Sequence, residues 1–210
     1  MNPEAFAARF DVSRETTERL RILVETLRKW SGRINLVGRS TLADAWRRHV
    51  ADSAQLLDLA PEGAATWTDL GSGAGFPALV VAAMAQERRP GLRVTAVESD
   101  ARKCAFMRDA ARRMGTAITV AHGRVEEAAL APADVVSARA LASLERLLAL
   151  AAPILADGAV CLFPKGAHVD AELTEAARRW HYRVERTPSI TDPGAAILRI
   201  TELRRAGPSP

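Results

Sequence analysis

The first part of the chain has the apolar spacing of α-helices and none of the alternation of strands. Ser13 stands where a helix N-cap is expected, and Gly32 stands where the same helix would stop. Between them, apolar residues recur three or four positions apart and so share one helix face: Leu20, Leu23, Val24, Leu27 and Trp30. This pattern predicts an amphipathic helix that packs against the rest of the protein.

A second helix is predicted after the short link Ile34–Gly38, with Ser40 as its cap and with its end before Pro61 and Gly63. Its buried face is predicted to carry Trp46, His49, Val50, Ser53, Leu56 and Leu57. Residues 1–62 are therefore predicted to form a helical N-terminal extension.

From Thr66 onward, strand-like and helix-like segments alternate. Strands are predicted near 66–70, 92–97, 117–121, 134–138 and 159–163, with helices near 77–88, 101–114, 141–152 and 169–179. Such alternation is typical of a parallel sheet covered by helices on both faces. Two last strands, near 181–185 and 195–201, follow one another without a helix, which predicts an antiparallel end.

The predicted fold is thus an α/β domain over residues 63–205, Rossmann-like, with a seven-stranded, mostly parallel sheet. Residues 206–210 are predicted to be a frayed tail.

The run Trp67–Pro77 joins the first strand to its helix. Gly71, Gly73 and Gly75 occupy every second position, and Pro77 opens the helix. Glycine permits positive φ and close approach of a ligand, so we expect the amides of this loop to face a ligand. Loops of this kind serve dinucleotides, phosphates or S-adenosylmethionine (SAM), and some only turn the chain.

The next strand ends at Glu98, which lies 27 positions after Gly71. A carboxylate at the end of the second strand can accept hydrogen bonds from both hydroxyls of a ribose. The dinucleotide pattern G-x-G-x-x-G has its third glycine one position later and its acid about 20 residues on. Both differences favour SAM over NAD.

Composition excludes several classes of protein. The 210 residues are 48% hydrophobic, enough for a core, yet no stretch approaches the roughly 18 uninterrupted apolar residues of a membrane span. The start of the chain lacks the pattern of a signal peptide, so a cytoplasmic location is predicted. The two cysteines, Cys104 and Cys161, have no C-x-x-C partner, and neither a disulfide nor a metal site is expected. Nothing suggests an obligate dimer, so we expect a monomer.

Charge gives a weaker indication. The net charge is +4, and 26 of the 29 basic residues are arginine. Arginine suits phosphate and guanine recognition, but a genome rich in G and C would produce the same bias. The two explanations stay open at this point.

Ligands of open α/β sheets bind outside the carboxyl ends of the strands, so residues just after each strand are expected to line one crevice. Several of these segments together resemble the bacterial 16S ribosomal RNA guanine-N7 methyltransferases, also called the glucose-inhibited division protein B family. The resemblance rests on Ile34–Val37, Arg48–Ser53, Asp69–Pro77, Gly123–Glu127, Ser137–Leu144 and Pro164–Gly166, which occur in that order.

The resemblance implies that the loop with Gly71, Gly73 and Gly75 holds the methionine part of SAM and that Phe76 packs beside it. Glu98 would bind the ribose. The adenine would be flanked by the Val125 backbone and the Glu126 side chain, and the alternative for Glu126 is an ordinary exposed helix start. Arg139 would lie near the methyl donor or the guanine.

The resemblance also suggests that His49 and Lys165 face the RNA. For His49 the alternative is a core histidine satisfied by a hydrogen bond. Arg47 and Arg48 are expected on an ordinary solvated helix face, and contact with RNA phosphate is the alternative for them.

The implied reaction is direct in-line transfer of the SAM methyl group to N7 of a single guanine, expected to be guanine 527, in 16S rRNA or the small ribosomal subunit. N7 carries an exposed lone pair, so no general base is needed, and Arg139 is expected to position rather than to exchange protons. Rival hypotheses are a SAM-dependent enzyme acting on a small molecule or protein, a nicotinamide-dependent reductase, and a non-catalytic RNA-binding domain.

Overall fold

The computed structural model describes residues 1–207. Residues 208–210 of the predicted tail lie outside this range. The backbone N–H of Ala206 donates to the carbonyl of Arg179 over 2.9 Å, which ties the first residue of that tail to the protein.

Eight α-helices are found among the described residues. They are α1 (Pro3–Phe10), α2 (Arg14–Ser31), α3 (Arg39–Leu42), α4 (Asp52–Leu59), α5 (Ala78–Arg88), α6 (Ala101–Met114), α7 (Leu144–Ala151) and α8 (Val169–Ala176). A π-helix, Trp46–Ala51, leads directly into α4, and a 3-10 turn, Ala152–Ile154, follows α7.

All seven predicted strands are confirmed. They are β1 (Thr66–Leu70), β2 (Arg93–Glu98), β3 (Thr119–His122), β4 (Ala133–Ala138), β5 (Leu155–Lys165), β6 (Trp180–Pro188) and β7 (Ala196–Arg205). They form one sheet in the order β3-β2-β1-β4-β5-β7-β6. Strands β1 to β5 are parallel to one another, and β7 lies antiparallel between β5 and β6, so the antiparallel end is confirmed as well.

Strand β5 begins four residues earlier than predicted. Asp157 and Gly158 have the composition of a turn, but Gly158 takes a φ of 74° inside the strand, and the pairing of β4 with β5 shifts register there. The glycine absorbs an irregularity that any other residue would resist.

Two hydrophobic cores cover the two faces of the sheet. One core joins the N-terminal helices to α5 and α6, with Trp67 of β1 fully buried in it. The other joins α7 and α8 to the opposite face and to the antiparallel end. The N-terminal helices are therefore part of the packing of the sheet, while the boundary at residues 62 and 63 stays a prediction.

The caps of α2 are as predicted. The Ser13 hydroxyl accepts from the backbone N–H of Thr16, and Gly32 is the C-cap. The carboxylate of Glu87 at the end of α5 accepts from the backbone and hydroxyl of Ser13 and from the hydroxyl of Thr16. Together these bonds fix the start of α2 against the sheet domain.

The prediction of one continuous second helix capped by Ser40 was wrong. Ser40 lies inside the short α3, whose N-cap is Gly38, and the chain then winds as a π-helix before α4. The buried face was correct, because Trp46, His49, Val50, Ser53, Leu56 and Leu57 are all less than a tenth exposed. A π-turn keeps such a face inward while it widens the helix, and π-turns are frequent at functional sites.

Candidate active site

The glycine loop adopts a conformation that other residues resist. Gly71, Gly73 and Gly75 have φ values of 63°, 56° and 75°. A Cβ on Gly71 would come within 2.5 Å of the Leu141 side chain, and one on Gly75 within 2.4 Å of Leu79. At Gly73 the nearest atom would be 3.9 Å away, so this residue leaves open space beside the backbone. Two glycines thus serve close packing, and the middle one leaves room for a ligand.

The expectation that the loop amides face a ligand was wrong for four of them. The N–H of Ser72 donates to Val97, and those of Gly75 and Phe76 donate to the carbonyl of Ser72. The N–H of Gly73 donates to Glu98 Oε2 over 2.8 Å. The loop therefore uses its amides to fix its own shape.

Glu98 is anchored rather than free. Its Oε2 accepts from Gly73, and its Oε1 accepts from the backbone N–H of Asp100 over 2.8 Å. Oε1 also accepts from the Ser99 hydroxyl over 3.5 Å, so of the two acceptor positions on each oxygen the free one lies on Oε2, which can accept from a ligand hydroxyl. The backbone of β2 and of the glycine loop thus orients this carboxylate toward the crevice.

Asp69 lies at the end of β1 beneath the loop, and sequence reasoning assigned it no role. It is fully buried, and its Oδ1 accepts from the Ser137 hydroxyl over 2.7 Å, while its Oδ2 has no hydrogen-bond partner within the described chain. Burial raises the pKa of the Asp69 carboxyl to about 6. Hydrogen bonds and the charge of Arg139 act in the opposite direction but are weaker than the effect of burial. Its signal in the sequence was an acid near the end of a strand, two positions before the first loop glycine.

Phe76 joins the glycine loop to the N-terminal helices. Its ring stacks on the ring of His49 with centroids 5.1 Å apart, and the guanidinium carbon of Arg139 lies 5.5 Å from the ring centroid. Phe76 is only 3% exposed. The residue predicted to pack beside the cofactor is therefore also the contact between the two walls of the crevice.

His49 is a hydrogen-bonded, buried histidine, as its alternative interpretation proposed. Its Nδ1 lies 3.2 Å from a guanidinium nitrogen of Arg139, which can only donate, so Nδ1 is the acceptor. Its Nε2 lies 2.9 Å from the Thr41 hydroxyl and carries the proton. Burial, followed by the charges of Arg139 and Arg48, lowers the pKa of His49 to about 4. With both nitrogens engaged inside the protein, the ring is neutral near pH 7.

Arg139 follows β4 and is held by three further groups. One guanidinium nitrogen donates to the carbonyl of Arg48 over 3.1 Å and lies 3.3 Å from Asp52 Oδ2, and the other donates to His49. The side chain is 20% exposed. The strand end and the π-helix therefore fix the direction of this cation together.

The loop between β6 and β7 closes the same network. The Thr191 hydroxyl donates to Asp52 Oδ1 over 2.7 Å. Arg47 donates to the carbonyl of Thr191, and Arg48 forms an ion pair of 3.3 Å with Asp192. Arg47 and Arg48 thus bind this loop, which neither of their sequence interpretations anticipated, and their RNA contact stays a prediction.

The predicted adenine residues lie on the other side of the crevice. Val125 is half-buried, and Glu126 is exposed in a turn rather than at a helix start. The carboxylate of Glu126 pairs with Arg146 of α7. A hydrogen bond to its own backbone is the main cause that lowers the pKa of Glu126, and the charge of Arg146 lowers it further. Both residues line the same cavity as the glycine loop.

Lys165 differs most from its expected place. Its ammonium donates to the carbonyl of Ala142 over 3.0 Å and to Glu172 over 2.7 Å, and the side chain is only 9% exposed. Glu172 also accepts from the backbone N–H of Leu144 at the start of α7. Lys165 thus binds the segment that follows Arg139, directly at Ala142 and through Glu172 at Leu144. Its contact with RNA stays a prediction and would have to compete with the pair between Lys165 and Glu172.

One cavity of about 1130 Å³ lies at the carboxyl ends of the strands, beside β1 and β4, where the order of the strands in the sheet reverses. On one side lie the glycine loop, Glu98, Val125 and Glu126. On the other lie Leu36, Thr41, His49 and Arg139. Small-ligand pockets are usually about 300–1,000 Å³, so the cavity has room for a ligand and part of a second molecule.

The cofactor side fits SAM. Open space beside Gly73 and an oriented carboxylate at Glu98, both lining the cavity, suit a ligand with ribose hydroxyls. The described residues contain no cluster of three metal-ligating side chains, and none of their helices is both long and apolar enough to cross a membrane.

Comparison with known proteins agrees with this geometry. A family model, GidB, described as rRNA small subunit methyltransferase G, matches residues 16–197. A ribosomal RNA small subunit methyltransferase G from Paramagnetospirillum magneticum is 50% identical over 210 residues, covering 100% of both chains. Another, from Rhodospirillum centenum, is 53% identical over 202 residues, covering 96% of this chain and 91% of the relative.

A solved methyltransferase structure from Geobacter sulfurreducens superposes with a TM-score of 0.58 at 14% identity, covering 86% of this chain and 88% of the other. At that identity the match shows a shared fold. The match to the family model and the near full-length relatives show the family itself: the chain belongs to the GidB family, rRNA small subunit methyltransferase G.

Proposed function

We propose that this protein transfers the methyl group of SAM to N7 of a single guanine in the 16S rRNA of the small ribosomal subunit, with guanine 527 as the expected target. The observation that carries the proposal is one cavity that joins a SAM-type glycine loop and Glu98 to a fixed arginine, with space beyond the loop for a base. The family membership supplies the substrate class.

The proposed reaction needs no side chain that accepts or donates a proton. SAM, when bound, supplies an electrophilic methyl group. Guanine N7 has an exposed lone pair and no proton to lose, so the protein has to orient the base and exclude water. A neutral His49, with both ring nitrogens engaged, is unsuited to be a general base, in agreement with this mechanism.

Arg139 is suited to orient the guanine. Its guanidinium has five N–H donors, of which Arg48, Asp52 and His49 engage some, and those that remain can bind guanine O6 or a phosphate. The product N7-methylguanine is cationic, so Arg139 is expected to bind the edge of the base rather than the methylated ring. Phe76 and His49 hold the guanidinium at this position.

The direct test is transfer of labelled methyl from SAM to protein-free 16S rRNA and to small subunits, both from cells that lack this protein. N7-specific strand cleavage then locates the modified base. One labelled guanine is expected. SAM binding without labelled RNA would instead favour the alternative, a SAM-dependent enzyme of a small molecule or protein, and no SAM binding would remove the proposal.

Arg139→Ala tests the role of the arginine. Loss of a charge-assisted contact is expected to lower kcat/KM for RNA by about tenfold to a hundredfold while the protein stays folded and still binds SAM. Arg178→Ala, which removes an exposed arginine that pairs with Glu175 outside the cavity, is the matched control and should transfer methyl groups as wild type does. Unchanged transfer by folded Arg139→Ala would remove this role. Cytoplasmic location and monomeric state stay predictions.

A further inference from the structure

A second cavity, of about 400 Å³, lies between α2 and α6, away from the glycine loop. Its lining residues come from these two helices and the turn after α2: Thr26, Lys29, Trp30, Arg33, Asp109 and Arg113. None of the roles described above uses them.

The cavity has a surplus of positive charge. Three of its lining residues are cations and one is a carboxylate. That carboxylate, Asp109, is already bound by the indole N–H of Trp30 over 3.1 Å and by Arg112 and Arg113 over 2.6 and 2.9 Å. Within residues 1–207, neither Lys29 nor Arg33 has a carboxylate partner within 4.0 Å, and both are exposed. The charges of these two residues are therefore available to an anion.

The second cavity is close to the first along two routes. Lys103 of α6 lines the large cavity, and Asp109 lies six residues further along the same helix, about 9 Å at 1.5 Å per residue. Arg33 precedes Leu36 and Val37, which line the large cavity, by only three and four residues. A polymer that occupies the large cavity can therefore reach the second one.

We propose that the cavity between α2 and α6 binds a backbone phosphate of the substrate RNA, as a second contact outside the methyl-transfer cavity. This inference rests on the proposed function and adds a binding site to it. Arginine and lysine are the side chains that bind phosphate oxygens, and such contacts set the position of the nucleic acid rather than read its sequence. Lys29 and Arg33 supply the charge, and the Asp109 pairs hold Arg113 and Trp30 in the cavity wall.

The experiment compares two charge reversals, Arg33→Glu and Arg204→Glu. Arg204 lies on β7, next to the edge strand β6 in the antiparallel part of the sheet. It is also exposed and also has no carboxylate partner within the described part of the chain. The two variants change the net charge equally, so any difference between them is local. Each is measured for SAM affinity, for equilibrium binding to protein-free 16S rRNA at several salt concentrations, and for kcat and KM of methyl transfer. Lys29→Ala/Arg33→Ala adds a variant without new negative charge.

Arg33→Glu is expected to weaken RNA binding by about tenfold or more and to raise KM with kcat nearly unchanged. The slope of log affinity against log salt should become shallower by about one for each lost phosphate contact. SAM affinity should not change, and Arg204→Glu should behave as wild type within about twofold. The double alanine variant should show the same direction as Arg33→Glu.

Equal RNA binding by Arg33→Glu and Arg204→Glu, with labelling intact, would overturn this inference and leave the proposed function standing. A defect seen only with small subunits, with unchanged binding to protein-free RNA, would also overturn it and point to an acidic protein partner. If wild type labels no RNA but Arg33→Glu still binds RNA less tightly than Arg204→Glu, the proposed function fails and the phosphate site survives. If wild type neither labels nor binds RNA, both fail.

Discussion

The two walls of the large cavity are built in different ways. The wall with the glycine loop and Glu98 is backbone: N–H groups of Gly73 and Asp100 fix the carboxylate, and loop amides bond to neighbouring carbonyls. The wall with His49 and Arg139 is a side-chain network between distant segments. Arg139 and His49 are 90 residues apart, and Asp52 and Thr191 are 139 apart.

The difference teaches where each wall is sensitive to mutation. On the backbone wall, a substitution matters if it adds an atom where the chain has no room. On the network wall, it matters if it removes a donor or acceptor from a half-buried group, because an unpaired polar group there costs about 1–3 kcal/mol. Four variants test this contrast, from the largest expected effect to the smallest.

Gly75→Ala should cause the largest change. The backbone at Gly75 is left-handed, which alanine adopts only with strain, and the added Cβ would lie 2.4 Å from the Leu79 side chain. We therefore expect the free energy of unfolding to fall by about 2–5 kcal/mol. Urea denaturation measures it. Gly158→Ala is the matched control, with φ of 74° but nothing within 4 Å, and should lose only about 1–2 kcal/mol. Equal losses in both variants would show that packing against Leu79 contributes nothing.

Asp52→Asn tests the network wall. It keeps the shape but removes the charge that pairs with Arg139, so we expect kcat/KM for RNA to fall by about tenfold, while SAM affinity changes little. The matched control is Asp58→Asn, the same change on the same helix at a carboxylate that pairs with Arg88 and not with Arg139. Weakened SAM binding by Asp52→Asn would contradict the separation of the two walls.

His49→Gln tests the same wall through pH. The pKa of His49 is about 4 when folded and 6.5 in its ordinary state, so the unfolded protein binds more protons between these values, and stability falls as pH drops through them. Wild type should therefore lose about 2 kcal/mol through His49 between pH 7 and pH 5.

His49→Gln has no histidine to protonate at this position and should not lose this stability. The difference in unfolding free energy between wild type and His49→Gln, measured by urea titration, should therefore be about 2 kcal/mol smaller at pH 5 than at pH 7. Asp69 acts in the opposite direction, since its raised pKa makes stability fall as pH rises toward 6, but it is present in both proteins and cancels in the comparison. A gap that stays constant with pH would contradict the neutral, buried state of His49.

Asp192→Asn should have the smallest effect. Its pair with Arg48 is exposed on both sides, and exposed pairs contribute little. We expect methyl transfer within about twofold of wild type. A larger loss would mean that the loop between β6 and β7 depends on this surface pair and not only on the bond between Thr191 and Asp52.

These contrasts explain which predictions from sequence were correct. The bounds of β1, β2, β4 and α6 were predicted within one residue, because apolar periodicity and short turns are local signals, whereas β5, β6 and β7 are several residues longer than predicted. The glycine loop was identified because its φ values leave only glycine without strain. The use of the loop amides was predicted wrongly, since hydrogen-bond partners such as Val97 come from another strand.

The other wall was predictable only in part. The buried face of the second helical segment was correct, but its π-turn was missed, because a change of helix type leaves the apolar spacing nearly unaltered. The resemblance placed Lys165 toward RNA, and nothing in the sequence showed that Glu172 and the carbonyl of Ala142 are its partners. The small cavity between α2 and α6 had no signal at all, since its residues belong to helices whose contact depends on packing.

The sequence alone determined the α/β alternation, the glycine loop, the acid at Glu98 and the resemblance to a family, since each depends on residues adjacent in the chain. Only the tertiary structure decided that His49 is neutral, that Arg139 is held by Asp52, and that Lys29 and Arg33 have no acidic partner within the described residues. The physical reason is that hydrogen bonding, burial and charge balance depend on which distant segments fold against each other.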